Sequence, residues 1–184
     1  VNPLAGVNGS ISDIKEAPNG DIYVCGVFTG VSNGAVAVDN TKCIARWSRA
    51  NQEWEAVGDP EGTGATITTI ECMEFDAAGN LYVGGRFTNL ADVAEADYFA
   101  KYTVSTNTWS AIGSGIDWDV KTIAISSAGV IYIGGYFSSA SGNGNCNGIA
   151  YWSGSAWTPV DTDGLSGAVN VLKFHPNGDL LIGG

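Results

Sequence analysis

The stretch Gly79-Asn80-Leu81-Tyr82-Val83-Gly84-Gly85-Arg86-Phe87 decides the fold of this chain, because variants of it occur four times. The other three copies begin at Gly20, Gly129 and Gly178. The tyrosines of the first three copies and Leu181 of the fourth are 59, 50 and 49 residues apart. A repeat of this length predicts an array of similar supersecondary units.

The composition excludes several functional classes. The 184 residues include 26 glycines but only 15% charged residues, which favours short strands joined by tight turns. The net charge is −11, and the eight Lys and Arg residues are scattered, whereas a nucleic-acid partner needs clustered basic residues. No apolar run approaches the ~20 residues that a membrane-spanning helix needs.

Each repeat resolves into four short strands. The first is an apolar segment that ends at the turn before the repeated glycine, as Ile70 and Met73 do before Gly79. The second is the Leu/Ile-Tyr-Val-Gly-Gly-x-Phe run itself. A loop of 11 to 15 residues follows, and two further strands come after it. The predicted third strands are 44–47, 99–102 and 149–152, and the predicted fourth strands are 54–57, 109–112 and 157–160.

Four antiparallel strands in about 50 residues, without helical periodicity, are the pattern of a β-propeller blade. We therefore predict an all-β fold, a β-propeller of four-stranded antiparallel blades. The chain would cover about three and a half blades, and we expect it to be a piece of a longer propeller. The predicted units are the last strand of a preceding blade at 1–5, blades at 6–58, 59–113 and 114–161, and the first two strands of a further blade at 162–184.

Glycine and aromatic residues at fixed places in the repeat predict how blades pack. A glycine within a strand lets a neighbouring sheet approach closely. The repeated tyrosines and tryptophans supply large faces that fill the space between blades. We assign the repeated aromatic residues to packing and not to ligand binding.

Two motifs carry a family resemblance. Gly84-Gly85, followed by Tyr102, six residues and Trp109, resembles the kelch repeat of the kelch and galactose-oxidase superfamily. The Gly-Gly-x-Phe-Thr/Ser variant is similar to propeller repeats of secreted, cell-surface and phage structural proteins. The resemblance covers essentially the whole chain, although Cys25 replaces the first glycine of its pair. It does not imply the copper chemistry of galactose oxidase, which needs more than one histidine, because His175 is the only one.

The loops from strand two to three and from strand four to the next strand one share a face of a propeller, which we call the loop face. Variable loops on a rigid scaffold are the usual place for binding. Ten of the nineteen acidic residues fall there, against Lys42 as the single base. They predict a surface for a cation or a basic partner, although acidic residues also merely solubilise loops. The predicted loops are 29–43, 58–69, 88–98, 113–119, 138–148 and 161–168.

The predicted ligand-binding residues centre on Trp118. It lies between Asp117 and Asp119 and outside the repeated aromatic positions. Its ring could stack on a sugar, anchor a protein partner or fold back onto the neighbouring blade. Asp92 and Asp97, from the preceding loop, complete the predicted set.

A metal site is predicted in the loop that begins at Asp161. Asp161 and Asp163 are the candidates, and Ca²⁺ is the ion that such oxygens suit, although the EF-hand pattern is incomplete. No other cofactor is predicted. The four cysteines lack the spacing of a zinc site. Cys25 and Cys43 flank one loop and predict either a disulfide or small buried thiols.

The sequence favours a non-catalytic role. His175 lies in a short turn away from the loop face, so a Ser-His-Asp or Cys-His arrangement is unsupported. We predict a structural or interaction module of a larger extracellular, cell-surface or virion protein, which binds protein partners or surface glycans through the acidic loop face. The alternatives are a carbohydrate-binding propeller and the propeller portion of an enzyme whose catalytic residues lie outside this segment.

Overall fold

The computed structural model describes residues 6–160, 165 and 167–184, and its described part is built of β-strands with one 3₁₀ turn at Leu90–Asp92. The strands in chain order are β1 (Gly6–Val7), β2 (Ser10–Glu16), β3 (Ile22–Val27), β4 (Val31–Asn33), β5 (Val36–Val38), β6 (Ile44–Ser48), β7 (Glu53–Glu55), β8 (Thr66–Phe75), β9 (Leu81–Thr88), β10 (Phe99–Thr103), β11 (Thr108–Ser110), β12 (Val120–Ile125), β13 (Ile131–Gly135), β14 (Ile149–Trp152), β15 (Trp157–Pro159), β16 (Val171–Phe174) and β17 (Leu180–Gly183).

The strands form the predicted antiparallel sheets. Blade 1 is β2-β3-β6-β7, blade 2 is β8-β9-β10-β11, blade 3 is β12-β13-β14-β15, and β16-β17 form the described part of blade 4. The first strands of successive blades pack against one another, so the blades follow one another around an arc. The predicted strand at 1–5 lies outside the described residues.

The same hairpin turn joins the first two strands of every copy. In blade 2 the Gly79 amide donates a hydrogen bond of 3.0 Å to the carbonyl of Asp76, and the other copies repeat this bond. Gly79 has a φ of +81°, in the left-handed region that glycine adopts without a steric penalty. The repeated glycine therefore has a local cause that holds in each copy.

The two glycines of each pair are required for different reasons. A Cβ on Gly84 would lie 2.6 Å from a methyl carbon of Val120, which belongs to the next blade. A Cβ on Gly85 would lie 2.4 Å from the carbonyl oxygen of Thr69, in the first strand of its own blade. The first glycine thus allows the close approach of the next blade, as predicted, whereas the second accommodates its own sheet.

Repeated tryptophans pack between blades, as the repeats predict. The Trp109 indole N–H of blade 2 donates to the Val57 carbonyl of blade 1 at 3.0 Å. The Trp157 indole N–H of blade 3 donates to the Ile112 carbonyl of blade 2, also at 3.0 Å. Both side chains are buried, so the two junctions use the same anchor.

Two predicted loops differ from the structure. Residues 29–43 contain a hairpin, because Asn33 and Gly34 begin a tight turn between β4 and β5, and β1 pairs with β4 to complete a small three-stranded sheet. Residues 66–69 belong to β8, which extends further toward the loop face than the first strands of the other blades.

Among the described residues, no helix has the length and apolar character to cross a membrane.

Candidate functional site at the junction of blades 2 and 3

Four of the five predicted ligand-binding residues lie where blade 2 meets blade 3 on the loop face. Trp118, Asp117 and Asp119 precede β12, and Asp97 precedes β10. The fifth, Asp92, instead binds the loop before β8. The predicted metal residues Asp161 and Asp163 lie outside the described residues.

Three loops form the floor of this junction, and backbone hydrogen bonds join them. The Ile116 amide donates to the Asp97 carbonyl at 3.2 Å, which links the loop of blade 2 to the segment before β12. The Ser141 amide donates to the Gly115 carbonyl at 2.8 Å, and the Asp117 amide donates to the Ser139 carbonyl at 3.2 Å. The surface is therefore built from connected segments.

Asp117 holds the loop that follows β13. One carboxylate oxygen accepts from the amides of Ser138 and Ser139, at 2.9 and 3.0 Å, and the other accepts from the Ser138 hydroxyl at 2.5 Å. Asn8 occupies the same repeat position in blade 1 and binds the amides of Thr29 and Gly30 in the same way. Asp117 is therefore a structural clamp whose neutral counterpart exists in the same molecule.

Trp118 stacks on Tyr98. The ring centroids are 6.1 Å apart and the planes differ by 23°. The Trp118 side chain nevertheless remains 53% exposed, whereas Tyr98 is half-buried. Tyr98 has a φ of +60°, and Gly148 occupies the corresponding position in blade 3 with a φ of +72°. A bulky residue is unusual in this backbone conformation, so the sequence retains an aromatic ring where glycine would fit more easily.

Arg86 is a charged residue of this junction that the sequence analysis missed. Its Nε lies 3.0 Å from both carboxylate oxygens of Asp119, and its Nη2 makes a further close contact with one of them. Asp119 is 1% exposed, but the Arg86 side chain is half exposed, and its hydrogen bonds with Asp119 raise the pKa of the guanidinium. The sequence did contain a signal for Arg86. Val27 and Tyr136 occupy the same repeat position in blades 1 and 3, so Arg86 is the only charged residue at that position.

A second ion pair borders the junction. The Lys121 ammonium binds the carboxylate of Glu71 and lies 5.5 Å from the centroid of the Tyr136 ring. Tyr136 is exposed to about the same extent as Trp118. An exposed aromatic ring and a carboxylate thus hold an ammonium group at the edge of the site.

The electrostatic environment of the stack is negative. Partial burial raises the pKa of the Tyr98 hydroxyl, and the charges of Asp119 and Asp97 raise it further. Arg86 opposes this increase, and Asp117 adds the smallest contribution to it. The Asp97 carboxylate accepts the Asn89 amide at 2.8 Å. Three carboxylates and one guanidinium therefore act on the same phenol.

Asp92 has a clamp role of its own. Its carboxylate accepts the backbone amides of Thr63 and Gly64, at 2.9 and 2.6 Å, and these bonds hold its pKa below the usual range. Within the described residues, no group of three or more His, Cys, Asp or Glu side chains could hold a metal ion.

The cysteines are buried, whereas the histidine lies in an exposed turn. Cys25 and Cys43 are free and buried, like the other two cysteines, so of the two predictions the structure has the buried thiols. Burial raises the pKa of Cys25 and of Cys72, which disfavours the reactive thiolate. His175 is exposed in its short turn, where its Nδ1 lies 2.7 Å from the side-chain oxygen of Asn177.

The architecture is similar to that of solved β-propellers. The extracellular domain of a protein described as a one-component system from B. thetaiotaomicron matches with a TM-score of 0.61 and 14% identity, over 96% of this chain and 20% of that chain. The WD40 β-propeller domain of Doa1 matches with a TM-score of 0.61 and 13% identity, over 97% and 49%. U3-55K matches with a TM-score of 0.58 and 14% identity, over 97% and 53%.

At these identities the similarity concerns the fold alone, and the chain spans between about a fifth and about half of those structures. No protein-family model matches the sequence. A comparison with curated proteins finds no match. The predicted propeller is nevertheless confirmed: the chain forms an arc of a β-propeller, with three four-stranded blades and two strands of a fourth.

Proposed function

We propose that the chain is a non-catalytic interaction module of a larger extracellular, cell-surface or virion protein. Its binding surface is the loop face at the junction of blades 2 and 3. The observation that carries this proposal is the stack of Tyr98 and Trp118, which leaves half of a tryptophan in water on a floor of three connected loops. Tryptophan is enriched among the residues that anchor protein partners, because covering its large ring is strongly favourable.

The charge of the same face supports a basic partner. The acidic residues outnumber the basic ones by eleven across the chain. Asp97 and Asp117 lie beside the stack, since they adjoin Tyr98 and Trp118 in the chain. Arg86, which the loop-face prediction did not include, balances only Asp119. The junction thus keeps a negative field that would steer a basic partner toward the exposed ring.

The remaining parts of the proposal have separate support. The non-catalytic role is supported by the buried thiols and by the position of His175 in a short turn. The kelch-like repeat type is supported by Gly84-Gly85 and the spacing of Tyr102 and Trp109. The extracellular, cell-surface or virion location is supported by the acidic, glycine-rich composition.

Carbohydrate binding is the second candidate, and one observation favours it. The half-exposed guanidinium of Arg86, which Asp119 holds in a fixed orientation, acts electrostatically on Tyr98, and the exposed Trp118 ring stacks on Tyr98. An aromatic face next to a fixed donor can stack on a sugar ring and donate to its hydroxyls.

The experiment that tests the proposed function is a binding screen with a matched pair of variants. The chain would be passed over immobilised basic, neutral and acidic peptides and over a panel of polysaccharides. Trp118→Ala should weaken binding to any retained ligand about tenfold or more. Val36→Ala is the control, because Val36 is also exposed on the loop face but lies in the small sheet of blade 1. Unchanged binding by Trp118→Ala, or an equal loss in both variants, would refute the proposal.

A further inference from the structure

We infer that the stack of Tyr98 and Trp118 receives a cationic side chain, the guanidinium or ammonium of an arginine or lysine in a basic segment of a protein partner. The inference deepens the proposed function and rests on it. It follows from the exposed ring, from the charges around it and from a similar arrangement elsewhere in the molecule.

The face of an aromatic ring attracts a cation within about 6 Å of its centroid, and tryptophan does so most strongly. Tyr98 lies against the Trp118 indole, and this contact limits the orientations that the indole can adopt. Half of the Trp118 side chain is still open to solvent. The platform is therefore positioned before any partner arrives, which lowers the entropy cost of binding.

Two carboxylates lie beside the stack. Asp97 accepts a backbone amide, and Asp117 accepts two amides and a hydroxyl, all of them neutral donors. In the part of the chain that the structure describes, neither carboxylate forms an ion pair. Among the described residues, these two negative charges beside the stack therefore lack a cation of their own, whereas Asp119 has Arg86.

A comparable pairing of ring, cation and carboxylate already exists at Lys121. Lys121 places its ammonium 5.5 Å from the centroid of the exposed Tyr136 ring while it binds the Glu71 carboxylate. Tyr136 occupies in blade 3 the repeat position that Arg86 occupies in blade 2. This pairing of ring, cation and carboxylate therefore lies at the edge of the same junction. At the stack the ring and the carboxylates are present, and the cation would come from the partner.

The same observations favour a cation over a sugar. A neutral sugar could stack on the indole face and donate hydroxyl hydrogen bonds to the two carboxylates, but it carries no charge to balance theirs, which no ion pair among the described residues balances. A cationic side chain would gain from both, and the gain would weaken as salt screens the charges.

The test is isothermal titration with a tetra-arginine peptide at low salt, with a tetra-citrulline peptide as the uncharged control of the same shape. We expect the full chain to bind tetra-arginine and not tetra-citrulline, and to bind it more weakly as salt is raised. Trp118→Ala should weaken binding about tenfold, and Val36→Ala should leave it unchanged.

The charge is tested by Asp117→Asn, for which the molecule supplies its own structural control. Asn8 clamps the corresponding loop in blade 1, and its amide nitrogen donates to the Thr29 hydroxyl at 2.8 Å. An asparagine at position 117 can make the same bonds to Ser138, so the melting temperature should not change. Binding of tetra-arginine should nevertheless weaken about threefold, because one charge is lost.

The inference is overturned if the unaltered chain does not bind tetra-arginine, if it binds tetra-citrulline equally, or if Asp117→Asn has no effect. A sugar ligand would also overturn the inference. In that case Trp118→Ala would lose binding to a polysaccharide of the screen, whereas Asp117→Asn would still bind it. The proposed function of the loop face would then stand. If Trp118→Ala loses no ligand of any kind, both proposals fail.

Discussion

Ile11 of blade 1 and Ile70 of blade 2 occupy the same position of the repeat, yet one is 48% exposed and the other is fully buried. The two side chains are chemically identical and point to the same side of their sheets. Ile70 is covered because β8 packs against blade 1, whereas no described blade covers that side of β2. Leu181 shows the converse at the other end, where it is exposed while Tyr23, at the same position, is buried.

This difference teaches that the repeat encodes a sheet with two apolar faces and that a neighbouring blade turns each face into core. The hydrophobic pattern is the same in every copy. Burial depends on the next copy, as it does in arrays in which each unit contacts only its neighbours. The comparison can therefore be tested by making the same substitution in a covered and in an uncovered copy.

The largest effect is expected from truncating the isoleucine. Ile70→Ala should destabilise the chain by about 2 to 5 kcal/mol, because it removes a buried side chain and leaves a cavity between blades 1 and 2. Ile11→Ala removes the same atoms from a half-exposed site and should cost less than about 1 kcal/mol. Urea unfolding followed by tryptophan fluorescence would measure both.

The difference between the stability losses of Ile70→Ala and Ile11→Ala is informative whether it is large or absent. Equal costs would show that another copy of the chain covers Ile11 in solution. Sedimentation of the unaltered chain at the same concentration would then reveal an assembly. A large gap with a monomeric chain would establish that the outer face of blade 1 is uncovered.

A smaller effect is expected from the first glycine of the pair. Gly84→Ala places a methyl group 2.6 Å from a Val120 side-chain carbon, so the two blades must separate or Val120 must move. We expect a loss of about 1 to 3 kcal/mol. In blade 4 the corresponding Gly183→Ala would meet only a Val171 carbon at 3.9 Å and should change stability by less than about 0.5 kcal/mol.

Thermal unfolding of the two alanine variants distinguishes packing between blades from backbone preference. If Gly183→Ala costs as much as Gly84→Ala, the glycine is required by the strand and not by the neighbouring blade. The assignment of the first glycine to blade packing would then be wrong.

The fold was largely predictable from the sequence because its causes are local and repeated. The turn glycine, the apolar first strand and the tryptophan of the fourth strand recur at fixed spacing, so a weak signal in one copy is reinforced by the others. The hairpin of β4 and β5 was missed because it occurs once, inside a segment that the other blades use as a loop. Repetition could not reveal an insertion that only one copy contains.

The candidate site was predicted only in part, for a related reason. Trp118 was identifiable because it breaks the repeat pattern. Its partner Tyr98 was missed because it adjoins the third strand, where aromatic residues are expected to pack. The pairing of Arg86 with Asp119 joins residues 33 positions apart from adjacent blades, and no sequence spacing predicts which side chains meet across a junction.

An effect smaller than that of Gly84→Ala is expected at a position whose partners all lie in its own blade, and it serves as the control for the comparison. Asp76 accepts the Ala78 and Asn80 amides at 2.9 and 2.8 Å in the turn of blade 2, and the Tyr82 hydroxyl at 3.1 Å. Partial burial alone would raise its pKa, but these hydrogen bonds outweigh burial and lower it. Ser126 caps the same turn of blade 3 through a neutral hydroxyl, which accepts an amide at 3.0 Å.

Asp76→Ser therefore replaces a charged cap by the neutral cap of the next blade. A carboxyl group with a lowered folded pKa stabilises the fold above its unfolded pKa, about 3.9, and this contribution is lost as the pH falls through the folded pKa. We expect the variant to be about 0.5 to 1 kcal/mol less stable at pH 7 and equally stable near pH 2, as measured by urea unfolding. A difference that does not shrink in acid would mean that the Asp76 carboxylate stabilises the turn through its shape and not its charge.

Because no neighbouring blade contributes to the hydrogen bonds of Asp76, combining Asp76→Ser with Ile11→Ala should give additive losses. Non-additive losses would show that the turns also sense whether a neighbouring blade is present, and the distinction between local turns and shared junctions would fail.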